Sequence, residues 1–426
     1  MLGIGVDGPV GAGASPAGGS PRPARSRAVT ERQAWALITS VSGLGPVGFA
    51  SLLGRYGSGL AILDAAARPN AWRDLVMAGI TDGREAFSRA VAEELSSVAR
   101  DPTVVIASIA AAGAEILTLD DAAYPARLRA IEMPPHVLFV RGALSALSAP
   151  VAVAVVGTRR PSEAGRRVAA RIGAAIAKRD GVVVSGLAVG IDGAAQAAVT
   201  NEHKPTVAVL GSGHGRLYPR AHDRLARSIV AEGGAVISEL APLVHATAGT
   251  FPMRNRLISG LSDATIVVEA AARSGALITA SWALEQGRDC FMVPGAIDAP
   301  QSLGCLRWLR EYPGQVRIVA GIAELIDDLG LGGPDPALTV RRGAVRPVSL
   351  EAELVELGAA ARSVALELVR GRGTVDELVA ATGHPVATAL GALTLLALRG
   401  LATSAYGRYR PAGRLAAADP KTAPAA

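Results

Sequence analysis

Short β-branched runs recur through the middle of the chain about every 25 to 30 residues, and each is followed by a turn and a helical pattern. The runs are 151–156, 182–184, 206–210, 235–238, 265–268 and 291–293. They are largely apolar and do not alternate with polar residues, as expected of parallel strands covered by helices on both faces. This pattern predicts an α/β core, an extended Rossmann-like parallel sheet, over 103–330. Two earlier runs, 115–119 and 136–140, would add strands at an edge. The 426 residues, half of them hydrophobic, leave room for smaller domains on either side.

Residues 1–27 are rich in Gly, Pro, Ala and Ser without an apolar period and read as a disordered tail. The pattern over 28–102 is helical, broken at 41–48 by a glycine-rich turn. That turn resembles a helix-hairpin-helix, which can set backbone N–H groups against a phosphate, although close helix packing uses the same turns. A Gly/Pro stretch over 331–347 reads as a linker. Over 348–413, helical segments at 351–370, 374–382 and 385–399 precede a short strand pair at 401–411 carrying Tyr406, Arg408 and Arg410. Thr374 would cap the second helix, Thr382-Gly383 would turn the chain and Pro385 would open the third, the layout of a winged helix. Residues 414–426 read as a second tail.

Composition excludes several function classes. No apolar run reaches the length of a membrane span, and the N-terminus lacks the order of a secretory signal, so a soluble cytoplasmic protein without membrane contact is expected. Cys290 and Cys305 form no metal-type pair and the histidines are scattered, so no metal and no cofactor are expected. The net charge of +6 suits a polyanionic partner but is modest for this length. Residues 341–426 hold 11 Lys plus Arg against 7 Asp plus Glu. The resulting +4 leaves the C-terminal unit open to DNA or to protein.

In an open α/β sheet, ligands bind beyond the carboxyl ends of the strands. The turn after the first strand reads Gly157-Thr158-Arg159-Arg160-Pro161-Ser162. It carries no dinucleotide fingerprint, and no Walker motif occurs in the chain. A glycine, a hydroxyl and two arginines can instead hold a phosphate. Ser185-Gly186-Leu187-Ala188-Val189-Gly190 and Gly211-Ser212-Gly213 expose backbone donors if their glycines serve anion binding rather than sharp turns. Ser274-Gly275 begins another helix on the same edge.

Phe251-Pro252-Met253-Arg254-Asn255-Arg256 predicts a helix opening near Pro252 with two arginines in its first turns. The positive end of the helix dipole repels both guanidinium groups unless an anion lies close. Residues two apart on a helix diverge by about 200°, so only Arg254 or Arg256 can face a ligand directly. The other would form an internal ion pair, with Glu239 or Glu269. Phe251 either stacks on a base or packs in the core. Asp192 reads as an N-cap, and no catalytic constellation stands out, so an enzyme is not expected.

Together, GTRRPS at 157–162, SGLAVGID at 185–192, GSG with Tyr218-Pro219, SEL at 238–240, FPMRNRLISGL at 251–261, VVEA with SGALITA, and Val293-Pro294-Gly295 resemble the DNA-processing protein A family, DprA or Smf. The resemblance implies a Rossmann-like domain that binds single-stranded DNA, forms a homodimer, and helps load the RecA recombinase in natural transformation and recombination. The chain departs from the family pattern at Gln196, Gly215, His222 and Cys305. A second reading is a phosphoribohydrolase related to the lysine-decarboxylase-like family, but its PGGxGTxxE signature is absent here. A third is a protein-binding scaffold.

Overall fold

A computed structural model describes residues 29–81, 84–332, 350–405 and 408–416. Its centre is a nine-stranded sheet built from β1 (Glu115–Thr118), β2 (Val137–Gly142), β3 (Ala152–Val156), β4 (Val182–Ser185), β5 (Thr206–Val209), β6 (Ala235–Ser238), β7 (Ala264–Val267), β8 (Asp289–Met292) and β9 (Val316–Ile318). Their spatial order is β9-β8-β7-β3-β4-β5-β6-β2-β1. Every pairing is parallel except those of β2 with β6 and with β1. The two early runs thus lie at an edge, while β9, Val-Arg-Ile with only Val316 buried, presents no apolar run to be expected from sequence.

Five helices matter for the site: α1 (Glu163–Ala177), α2 (Ile191–Asn201), α3 (Asp223–Ala231), α4 (Thr250–Gly260) and α5 (Gly275–Glu285). β3 is buried along its whole length, and successive residues serve opposite faces. Val153 and Val155 pack with Ile172 and Ile176 of α1 and Val199 of α2. Ala154 and Val156 share the other face with Leu257 and Ile258 of α4 and Ala280 of α5. A double-sided cover leaves no room for polar residues in these strands, which is why they read as continuous apolar runs. Gly173 allows α1 and α2 to meet: a Cβ there would lie 2.6 Å from the Ala195 carbonyl oxygen.

The strand order fixes where a ligand can enter. From β3 the chain steps outward through β4, β5 and β6, then returns to place β7 on the other side of β3. The connections after β3 and β7 diverge to opposite faces and open a crevice at this switch point.

Helices at Glu31–Thr39, Pro46–Tyr56, Gly59–Ala66, Trp72–Ala78, Arg89–Arg100 and Thr103–Ala112 precede the sheet. Their core, including Trp35, Leu52 and Ile109, is shared with Val137 and Phe139 of β2. The change to strands expected at 103 comes twelve residues later. Thr103-Val104-Val105-Ile106 has strand-like composition, but Ile109 reaches the helical core and Gly113, at φ 59°, ends the helix.

In the C-terminal unit the single helix expected over 351–370 is two, Leu350–Glu356 and Ala359–Val369, broken at Gly358 with φ 95°. Thr374 forms a capping box with Glu377, Gly383 ends that helix in the left-handed conformation, and Val386–Leu398 follows Pro385. Ala402–Ala405 and Arg408–Pro411 pair antiparallel. Gly413–Ala416 is helical rather than tail, because Leu415 inserts into the unit's core. Tyr406, most of the linker and both tails beyond these limits lie outside the described residues. Among the described residues no single helix is long and apolar enough to cross a membrane.

Candidate nucleic-acid interface

The switch-point crevice is a cleft of about 360 Å³ whose walls come from the end of β3, the connections after β3 and β4, and α4 and α5. Gly157, Arg159, Ala188, Phe251, Arg254, Asn255, Ser274 and Gly275, all candidates from the sequence, line it together. The turn after β3 is held from beneath. Thr158 donates its N–H to the Glu269 carbonyl at 2.7 Å, and Ser162 donates backbone and hydroxyl hydrogens to the Glu269 carboxylate at 2.9 and 2.5 Å. Ser162 also caps α1 through Gly165 N–H. This fixes the turn and leaves Arg159 and Arg160 exposed.

Helix α4 opens two residues before Pro252. Thr250 Oγ1 donates to the Gly211 carbonyl at 2.7 Å, and the Phe251 ring lies where a Cβ of Gly211 would be, 2.8 Å from its nearest carbon. The Arg159 guanidinium stands 4.8 Å over the Phe251 ring, and Tyr218, half exposed, lies 5.8 Å from it on another side. A cation and two rings therefore form one surface at the cleft's rim.

The two arginines of α4 turn inward in different directions. Arg254 is 4 % exposed; its Nη1 donates to the Gly186 carbonyl at 2.7 Å and to the Val209 carbonyl. Burial brings its pKa down to about 10, with the Asp192 carboxylate opposing the fall and Arg159 adding to it. Arg256 is 1 % exposed and pairs with Glu239 at 2.6 and 3.3 Å. Burial raises the Glu239 carboxyl, against the pull of Arg256. The charge conflict at the helix start is thus relieved by two internal carboxylates, Glu239 being one of the two anticipated. Glu269 serves the β3 turn instead.

The backbone-donor reading of the glycine loops is corrected. Gly186 N–H donates to Asp192 Oδ2 at 3.0 Å, so Asp192 ties the loop and is not the N-cap, which Gly190 supplies. Burial raises the Asp192 carboxyl most, while Arg254 and the Gly186 and Gly157 amides oppose that rise. Gly186 is glycine because a Cβ would meet the Arg254 guanidinium at 2.5 Å, and Gly190, at φ 95°, because one would meet the Thr158 carbonyl at 2.4 Å. Ser185 is buried with its hydroxyl on the Val155 carbonyl, Leu187 is fully buried, and Ser212 is buried too. These residues, with Gly211, Thr158 and Arg256, shape the cleft without lining it, and Arg160 lies outside its wall.

Departures from the family pattern have structural uses here. Gln196 accepts from Leu187 N–H at 3.2 Å and donates to the Val207 carbonyl at 3.0 Å, and His222 Nδ1 donates to the Leu187 carbonyl at 2.8 Å. Both hold Leu187 in its left-handed conformation, φ 55°. Tyr218 was not among the sequence candidates; its place beside Pro219, in one of the stretches that resemble the family, was the available signal.

Fold and cleft define a class first: a Rossmann-like α/β protein whose switch point is lined by arginine and aromatic side chains instead of a nucleotide fingerprint. Residues 115–329 match the family described as DNA recombination-mediator protein A, and the chain belongs to that family. The putative DNA processing protein DprA of Mycobacterium tuberculosis is 39 % identical over 313 residues, 70 % of this chain and 77 % of that protein. Protein Smf of Escherichia coli is 43 % identical over 217 residues, 51 % of this chain and 57 % of Smf. The X-ray structure of DNA processing protein A from Streptococcus pneumoniae superposes with a TM-score of 0.57 at 31 % identity, covering 70 % of this chain and 98 % of that one.

Proposed function

We propose that the chain binds single-stranded DNA along the outer rim of the cleft and acts there as a non-enzymatic recombination mediator. It protects incoming strands and helps load the RecA recombinase onto them. The observation that carries the reading is the Arg159–Phe251–Tyr218 surface. A guanidinium over one ring with a second ring beside it offers a phosphate contact and stacking faces at once, the combination that single strands use without regard to sequence. The non-enzymatic reading is supported by the engagement of the carboxylates: Asp192, Glu239 and Glu269 each accept structural hydrogen bonds. Homodimer formation, the RecA contact, a cytoplasmic setting and a role in natural transformation are part of the same proposal, and family membership is what supports them.

The C-terminal unit is read as a winged helix that meets protein rather than DNA, because its helix Val386–Leu398 carries no charged residue.

The test is a titration of labelled oligo-dT at several salt concentrations. Arg159→Ala is expected to weaken binding to all sequences alike and to reduce the salt slope by about 0.7, the single-strand value per phosphate. An unchanged slope removes Arg159 from the interface.

A further inference from the structure

A second and larger cavity, about 490 Å³, lies between the N-terminal helices and the sheet. Its walls are largely apolar, including Leu44 and Pro46 of the glycine-rich turn, Leu240, Val244 and Met253. Glu239, its side chain 15 % exposed, is the one acidic residue among those lining the space. A volume in this range holds a small heteroaromatic group.

The cavity adjoins the cleft. Arg254 lines both, and the exposed segment Thr247-Ala248-Gly249 and the first turn of α4 lie between them: Ala248, Phe251 and Pro252 face the cleft, Thr247, Gly249, Thr250 and Met253 the cavity. The segment is held low by reciprocal bonds between Thr247 and Thr250 at 3.0 and 3.3 Å. A strand lying in the cleft can therefore cross it and drop one base beyond.

We infer that this cavity is a base pocket for the strand bound in the cleft, and that it favours guanine. Apolar walls suit a base's faces, and a carboxylate is an acceptor-only group with lone pairs to spare beyond its two bonds to Arg256. Guanine offers two adjacent donors, its ring N–H and amino group, whereas thymine offers one. Reading an unstacked base by its pairing edge needs such a match. The inference rests on the proposed reading of the cleft.

The experiment measures the affinity of the full chain for dT oligomers carrying one dG, or one abasic site, at each position in turn. At a single register, dG is expected to bind at least fivefold more tightly than the abasic strand. Two variants occlude the cavity without touching the cleft wall: Met253→Trp, at an exposed position, and Gly45→Trp, where an added Cβ meets nothing within 4 Å. Both are expected to abolish the dG gain while plain dT binding stays within about twofold. Equal affinities at all registers, or a gain surviving both variants, overturns the inference while leaving the cleft intact. Loss of the cleft reading shows separately, as dT binding indifferent to both Arg159→Ala and Phe251→Ala. A chain that retains no strand sinks both.

Discussion

The chain places two pairs of arginines at the same edge of its sheet, and the structure uses them for opposite purposes. Arg159 and Arg160 follow β3 in a turn pinned by Glu269 and are exposed; neither has a carboxylate partner among the described ion pairs. Arg254 and Arg256 lie on α4 and are almost wholly buried, one on carbonyls beside Asp192, the other on Glu239. Charge that is desolvated and paired builds the wall of a site; charge held at a rim over an aromatic ring is what a flexible polyanion can reach. The lesson is that a count of basic residues near a site overstates its charge toward ligand.

The strongest way to break this contrast is at Arg256. Removing one partner of a buried pair leaves an uncompensated charge, so Arg256→Ala is expected to cost about 3–5 kcal/mol of stability. Urea unfolding checks this. Arg256→Leu combined with Glu239→Leu is expected to recover much of the loss, because the pair's own net contribution is small. An Arg256→Ala protein of full stability that had lost strand binding would place this arginine at the ligand instead.

Next in size is a pH effect on the same buried framework. His136 packs against Trp35 and Phe49 with ring centroids 6.0 and 4.5 Å away, and burial brings its pKa from 6.5 down to about 4. His214, on the Phe139 carbonyl at 2.8 Å, is likewise brought to about 4. Both stay neutral in the folded chain while the unfolded chain takes up protons below pH 6.5. Stability is therefore full above that pH and falls as pH drops toward 4, by about 3 kcal/mol per histidine. Unfolding free energies measured from pH 7 to 4 test the sign, and His136→Leu should remove its share of the slope.

At the rim the effects are smaller and fall on binding. Phe251→Ala is expected to weaken every oligomer by about 1–3 kcal/mol, the worth of one stacked base, and Phe251→Trp to retain most of the affinity. Equal binding by the alanine variant would assign the ring to packing on Gly211 alone.

How far was this contrast legible in the sequence? The α/β core was, because strands buried on both faces leave uninterrupted apolar runs, and the edge position of β1 and β2 followed from their place before the first βα unit. That only one of Arg254 and Arg256 could face the cleft followed from helix geometry. The destinations of the loop amides did not. Ser185, Gly186 and Leu187 look like an anion cradle until Asp192 and Gln196, six and nine residues downstream, are seen to take the N–H groups. Such side-chain-to-backbone bonds have no sequence period. Tyr218 escaped because its approach to Phe251 joins residues 33 apart on separate connections. The helix Thr103–Ala112 was obscured by β-branched residues whose weak intrinsic preference is overridden by packing.

The smallest effect is expected in the C-terminal unit, and it sharpens the contrast by supplying a third kind of surface. Reading base edges takes Arg, Lys, Asn, Gln or acidic side chains. The helix Val386–Leu398 has threonine as its only polar residue type. The residue after it, Arg399, is engaged with Glu356 at 3.6 Å and Glu353 at 3.9 Å. What this helix presents is Leu398, 78 % exposed, with Val386, Leu390 and Leu395 also exposed. A negative charge on a DNA-facing helix would repel the strand, whereas Leu398→Asp here is expected to change single-strand affinity and stability by less than about 0.5 kcal/mol. Fluorescence anisotropy at low salt, where repulsion is least screened, is the sensitive measurement. A marked loss of affinity there would put this uncharged helix beside the strand.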